Sequence, residues 1–250
     1  MQVEGQHTGE NIAASIKRTV DEWSIGLPNA VTTDNAANEQ KAIRLLGYTR
    51  FGCYGHRINL VVKKAIQCDE IKDLLKKGRT LVSFFHKSSS ATDMLAEQQR
   101  LNTGQTEKQD HRLIMDCKTR WNSTLNMLDR LVEQTPYIVN IANLTTISKS
   151  TSQTIKLNAY SFAEMSILQD VIKLLKPFEI ATTVLCSQIS PTMQHVMPVT
   201  KKLLSATEEH EDDAEVVKIM KRKMATELRK RAETEELPLL AALLNPDTKL

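Results

Sequence analysis

The sequence predicts a mostly α-helical chain with a small α/β part near its N-terminal end. Two observations carry that expectation. Ala30–Thr33 and Arg50–Cys53 are short runs of strand character separated by one helix-length segment, which gives a strand–helix–strand order. From Cys53 onward, apolar residues recur three and four apart, the spacing that places them on one face of a helix.

Residues 9–23 read as the first helix. Ile12, Ile16 and Val20 form its apolar stripe, and Thr8 offers a hydroxyl to accept an N–H of the first turn. Gly26-Leu27-Pro28-Asn29 breaks it, and a short buried strand over Ala30–Thr33 follows. The next helix covers 38–46, with Ala42, Ile43, Leu45 and Leu46 apolar, and Gly47 stops it. The short connections make this a right-handed βαβ unit, so the two strands should pair parallel.

Beyond Cys53, Ile58, Val61, Val62, Ala65 and Ile66 make one stripe, and Ile71, Leu74, Leu75, Val82 and Phe85 a second. Ser88-Ser89-Ser90 caps another helix that reaches Leu101. Residues 102–111 read as a polar loop and Arg112–Cys117 as extended chain. Trp121, Leu125, Leu128 and Val132 mark a further helix. The Ser/Thr-rich stretch 145–154 reads as a mobile loop. Leu168, Val171, Ile172 and Leu175 lie on a helix that Pro177 should end. Val196, Val199 and Leu203 open the next. A charged helix over 208–231 runs acidic first and basic later, as the helix dipole favours. There is no internal repeat and no heptad array. Two parallel strands are too few for an independent sheet, and parallel sheets are normally covered on both faces, so the chain reads as part of something larger.

A length of 250 residues allows one large or two small domains. The net charge of +3 is too small to imply a nucleic-acid partner by itself. Cysteines at 53, 68, 117 and 186 form no C-x-x-C pair and read as reduced thiols of a cytosolic or nuclear protein. The polar N-terminus lacks a signal-peptide pattern, and no apolar run approaches the roughly 20 residues of a membrane span. No glycine loop for phosphates and no nucleophile–base motif is present. Neither a membrane nor a small-molecule substrate is therefore expected as a partner.

Chemistry concentrates at Val31-Thr32-Thr33-Asp34-Asn35-Ala36-Ala37-Asn38. Asp34 stands at the C-terminal tip of a strand, where open α/β sheets place ligands and metals. No Asp precedes Asp21, so Asp34 has no evident upstream carboxylate partner. The competing reading is a turn carboxylate serving the helix that follows. Cys53-x-x-His56 suggests zinc, but a structural zinc takes four ligands and no second pair lies at ligand spacing. Trp121, next to Arg120, has two readings: a platform for a nucleobase, or the anchor of its own helix stripe. Residues 38–87 hold eleven Lys/Arg against four Asp/Glu. Lys63, Lys64, Lys72, Lys76, Lys77 and Arg79 lie off or beside the stripes, as a phosphate-facing surface or as a solvated helix face.

Taken in order, His7-Thr8-Gly9-Glu10-Asn11-Ile12, Thr32-Thr33-Asp34-Asn35-Ala36-Ala37-Asn38, Cys53-Tyr54-Gly55-His56-Arg57-Ile58-Asn59-Leu60 and Thr119-Arg120-Trp121-Asn122-Ser123-Thr124 resemble the hAT DNA transposase superfamily. Within it, the likeness is to domesticated zinc finger BED-domain proteins. Leu240–Pro246 resembles that family's late insertion-domain segment. The resemblance implies a truncated RNase H-like core over 1–68, with two short parallel strands, and an all-helical insertion domain over 69–250. The family's active site is two Asp and one Glu holding divalent ions, which activate the nucleophile and stabilise the leaving oxygen. Asp34 matches the second Asp. By the same resemblance the first Asp lies on a strand before this chain and the Glu beyond Leu250, with the BED finger and the dimerisation segment also outside. Asn35, Cys53, His56 and Trp121 would flank the pocket. Lys63, Lys64, Lys76, Lys77 and Arg120 are the candidate DNA contacts.

The expectation is a transposase-derived nuclear protein or fragment, catalytically inactive as this chain and with no metal site or cofactor of its own. A divalent metal such as Mg²⁺ enters only where a longer parent completes the triad. The chain would bind DNA weakly and without specificity, or a protein partner or second copy, in a transcription-regulatory role. The alternatives are a portion of an active transposase, and a helical interaction module without DNA binding.

Overall fold

The computed structural model describes residues 5–103, 111–117, 119–144, 147–187, 191–231 and 236–246. Among them are eleven α-helices and two strands. In order these are α1 (Gly9–Glu22), β1 (Val31–Thr33), α2 (Ala37–Leu46), β2 (Arg50–Gly52), α3 (Tyr54–Ala65), α4 (Asp69–Lys87), α5 (Ser89–Thr103), α6 (Trp121–Ala142), α7 (Lys149–Asn158), α8 (Phe162–Leu185), α9 (Val196–Ala206), α10 (Glu215–Arg231) and α11 (Glu236–Leu244), with a 3₁₀ turn at Met193–His195. The fold is mostly α with two parallel strands, as expected. The elements form two compact units: Met1–Leu60 with Ala181–Thr200 and Arg231–Leu250, and Val61–Ile180 with Lys201–Lys230. Both are discontinuous in sequence, whereas the expected division at residue 68 is a single cut.

In the first unit, α1 packs on α2 through Ile12, Ala13 and Ala42, with Ile16 and Leu46 against them. The Thr8 side chain accepts the Asn11 N–H at 3.3 Å, and Gly47 closes α2 in the left-handed region at φ 71°. β1 and β2 pair parallel, Val31 opposite Arg50, Thr32 opposite Phe51 and Thr33 opposite Gly52. The ladder is framed by Val31 N–H to Thr49 O at 2.8 Å and Cys53 N–H to Thr33 O at 2.6 Å. β1 is not buried as expected. Val31 and Thr33 are half-buried and Thr32 is exposed, because β1 has a single strand neighbour among the described residues.

The second unit buries the helical stripes. Val61, Val62 and Ala65, then Ile71, Leu74, Leu75, Val82 and Phe85, then Leu125 and Leu128, then Leu168, Val171 and Leu175 are all in the core. Arg112–Cys117 has no ladder partner among the described residues. It is pinned by Asp116, whose carboxylate receives both Arg79 (2.6 and 2.9 Å) and the Thr124 hydroxyl (3.0 Å).

Three further expectations need correction. The stretch 145–154 is largely helix α7 rather than a loop, and its first two residues lie outside the described residues. Ser148 accepts the Thr151 N–H at 3.1 Å, the Ser152 hydroxyl donates to Ala142 O at 2.7 Å, and Ile155 is buried. Pro177 does not end its helix, since α8 runs on to Leu185. An interior proline costs roughly 3 kcal/mol, and burial of Leu174, Leu175 and Phe178 around it offsets that. The charged helix begins at Glu215 rather than 208, because Asp213 builds a turn by accepting the His210 N–H at 2.8 Å and the Lys221 ammonium at 2.6 Å. The expected loop 102–111 lies mostly outside the described residues.

Candidate functional site at the strand ends

β1 delivers Asp34 to its C-terminal tip as an exposed residue. Its Oδ1 accepts the Ala36 N–H at 2.7 Å, a side-chain turn that leads the chain into α2. Ala36, not Asp34, occupies the position just before the helix. Arg50 laces the whole tip together. Its guanidinium donates to Thr33 Oγ1 at 2.9 Å, to Asp34 O at 2.7 Å and to Asn35 Oδ1 at 2.6 Å. The parallel register makes this possible by placing Arg50 beside β1. Gly52 supplies room, since a Cβ there would stand 2.9 Å from Asn35 Oδ1 and 3.1 Å from the Arg57 guanidinium.

Glu39, in the first turn of α2, completes the cluster. Its carboxyl is held above the usual range, first by burial and then by the hydrogen bond and charge of Asp34, with Arg50 pulling the other way. The tip thus holds two interacting carboxyl groups, with the Arg50 guanidinium bonded to the Asp34 backbone carbonyl and the Asn35 side chain beside them. Among the described residues no three His, Cys, Asp or Glu side chains gather as a metal-holding group.

Cys53 follows β2 and is half-buried, as is His56 one turn on. Between them Tyr54 is buried and hydrogen-bonds the Thr200 hydroxyl. The Arg57 guanidinium lies 5.2 Å from the Phe51 ring and donates to Arg231 O at 2.9 Å. Asp34, Asn35, Cys53 and His56 therefore belong to the first unit. Lys63, Lys64, Lys76, Lys77, Arg120 and Trp121 belong to the second.

Most of the basic stretch is engaged. Lys64 pairs with Glu227 at 3.0 Å, Lys72 with Asp69 at 2.9 Å, Lys77 with Glu164 at 2.8 Å and Arg79 with Asp116. Lys63 and Lys76 form no ion pair among the described residues. Arg120 is exposed just before α6, and Trp121 is 3% exposed, packed into the core at the head of its helix stripe. Asn59 Oδ1 and Asn122 Oδ1, one in each of two motifs, are buried with no hydrogen-bond partner among the described residues. A cavity of about 490 Å³ in the second unit, lined by Phe85, His86, Leu95, Arg100, His111 and Leu113 among others, includes none of the expected site residues.

Sequence reasoning missed Glu39 and Arg50. The signals were present: a carboxylate five residues after Asp34 on the next helix, and a lone arginine opening the paired strand.

Residues 51–174 match the family of the ZBED1 RNase-like helical domain. Zinc finger BED domain-containing protein 4 of Homo sapiens is 28% identical over 201 residues, covering 79% of this chain and 16% of that protein. The Transposable element Hobo transposase of Drosophila melanogaster is 26% identical over 226 residues, covering 89% and 31%. The chain is thus similar both to a transposase and to a BED zinc finger protein. Zinc finger BED domain-containing protein 6 of Homo sapiens agrees, at 27% over 190 residues, 71% of this chain and 17% of that protein. The chain thus spans between 16% and 31% of the length of these relatives. The matched domain begins within β2 and runs into α8, so Asp34 lies ahead of it.

Proposed function

We propose that this chain is a transposase-derived, nuclear binding protein or part of one, and that as these 250 residues it neither cuts nor joins DNA. One observation carries the reading: Asp34, which by sequence resemblance corresponds to one carboxylate of that family's set, takes part in the turn at the strand tip. Asp34 Oδ1 holds the Ala36 N–H, and Arg50 sits across its backbone carbonyl. A guanidinium in that position competes electrostatically with a dication. Two-metal strand transfer needs several carboxylates around paired ions. A divalent ion such as Mg²⁺ would take Asp34 only alongside carboxylates contributed by a longer parent.

The test is incubation of the chain with nicked and intact duplex plus Mg²⁺ or Mn²⁺. No cleavage is expected. Cleavage that disappears in Asp34→Asn overturns the reading and restores the working transposase.

The proposed DNA contact is weak and non-specific, through Lys63, Lys76 and Arg120. A second reading, a helical interaction module that binds protein and not DNA, is favoured by the ion pairs that occupy Lys64, Lys72, Lys77 and Arg79. Salt titration of duplex binding separates the two. Each phosphate contact contributes a slope of about 0.9 in log affinity against log salt. The DNA reading expects Lys63→Gln with Lys76→Gln to lower the slope by nearly two such contacts. An unchanged slope, or no binding at low salt, supports the protein module.

A further inference from the structure

Two of the four cysteines, distant in sequence, meet in the first unit. Cys53 follows β2, and Cys186 follows the last turn of α8. Their meeting point is Gly55. A Cβ built there would run into Cys186 Sγ and would lie 3.9 Å from Cys53 Sγ. Both sulfurs are therefore within 4 Å of one point, and the side chain that Gly55 lacks is the space they share. The Cys186 thiol is pushed above its ordinary range, first by burial and then by the nearby Cys53 sulfur, as two close thiols require. Both are free thiols, Cys53 half-buried and Cys186 exposed, so a small oxidant reaches the pair from solvent. The remaining two cysteines stand differently. Cys68 is buried in the second unit, and Cys117 hydrogen-bonds the Thr119 hydroxyl at 3.0 Å.

We infer that Cys53 and Cys186 form an oxidative modification site, a dithiol that hydrogen peroxide converts to an intramolecular disulfide. One thiolate attacks the O–O bond, expels hydroxide and becomes a sulfenic acid. The second thiolate attacks the sulfenic sulfur, the S–S bond forms and a second hydroxide leaves. The two thiol protons convert both hydroxides to water, so two thiols and one peroxide give one disulfide and two waters. The bridge fastens the end of α8 to the strand tip, because the Cys53 N–H is bonded to Thr33 O, one residue before Asp34. A dithiol–disulfide couple at this place makes the strand-end turn responsive to oxidation.

The test uses the purified full chain. Four thiols titrate in denaturant before treatment, and two after hydrogen peroxide. Digestion without reduction then yields one bridged peptide pair containing Cys53 and Cys186, from a monomer, and dithiothreitol restores all four thiols. Cys186→Ser, at an exposed position, forms no bridge. A chain carrying both Cys68→Ser and Cys117→Ser forms it as the parent does. Four thiols surviving peroxide, a bridge that uses Cys68 or Cys117, or disulfide-linked dimers in place of the internal bridge would each overturn the inference.

Discussion

Arg50 shows how much one side chain contributes when the backbone register delivers it. It is one strand residue, yet it donates to Thr33, Asp34 and Asn35 and so sets the turn that carries Asp34. Glu39 is the opposing element. Its folded-state carboxyl titrates above the ordinary value, so the folded chain holds a proton that the unfolded chain has already released. The stability linked to Glu39 is therefore complete at pH below the ordinary glutamate range and is lost as pH rises through the raised folded value. Glu39→Gln, which cannot ionise, should raise the melting temperature at neutral pH, with the gap closing as pH falls below that range. A melting temperature lowered by Glu39→Gln at neutral pH would mean Glu39 is instead a stabilising partner of Arg50. Asp34 was legible from sequence because a carboxylate ending a β-branched run is a local pattern. Its partners were not, because Arg50 meets it only through the pairing of Val31 with Arg50, a contact that no local spacing encodes.

At the scale of elements, periodicity served where burial decides and misled where local chemistry decides. The stripes led by Ile71, Leu125 and Leu168 are core, as their spacing implies. The helix α7 was hidden because Ser and Thr favour caps and turns, yet here their hydroxyls are satisfied within the helix, Thr154 donating to Ser150 O at 2.9 Å. Pro177 was read by its intrinsic cost, without the packing of Leu174 and Phe178 that outweighs it. Gly78 in α4 shows the same tension in reverse. Glycine inside a helix costs about 1 kcal/mol against alanine, so propensity alone recommends replacing it. The structure opposes the change. A Cβ there would stand 2.8 Å from Leu131 Cδ1 and would strike the Tyr160 hydroxyl, which donates to Leu74 O at 2.9 Å. Overpacking a core costs about 1–3 kcal/mol, more than the propensity gain returns once the Tyr160 bond is disturbed. Gly78→Ala should therefore lower the urea midpoint at unchanged slope. A raised midpoint would show that α4 can shift away from Tyr160 without loss.

For the molecule as a whole, stability should be graded between the small sheet and the helical core. β1 has β2 as its one partner among the described residues. Val31 N–H is bonded to Thr49 O, so the alternation of a strand turns the Thr32 N–H toward the opposite edge, and Thr32 is exposed. An unpaired apolar-flanked edge of this kind is a template for another strand. The second unit differs in kind. Val61, Val62 and Ala65 on α3, and Leu168 and Val171 on α8, are within 1% of complete burial, and their amides bond within their own helices. Local opening energies run from near zero at such edges up to the global value in packed helices. Amide exchange at 31–33 should therefore be at least about tenfold faster than at 61–65 and 168–175, a gap of about 1.4 kcal/mol or more. The comparison must be made on a verified monomer, because strand addition by a second copy would protect the edge. Protection of 31–33 equal to that of α3, in a monomer, would mean that another segment of the chain completes the sheet, and the turn at Asp34 would then rest on a fully paired strand.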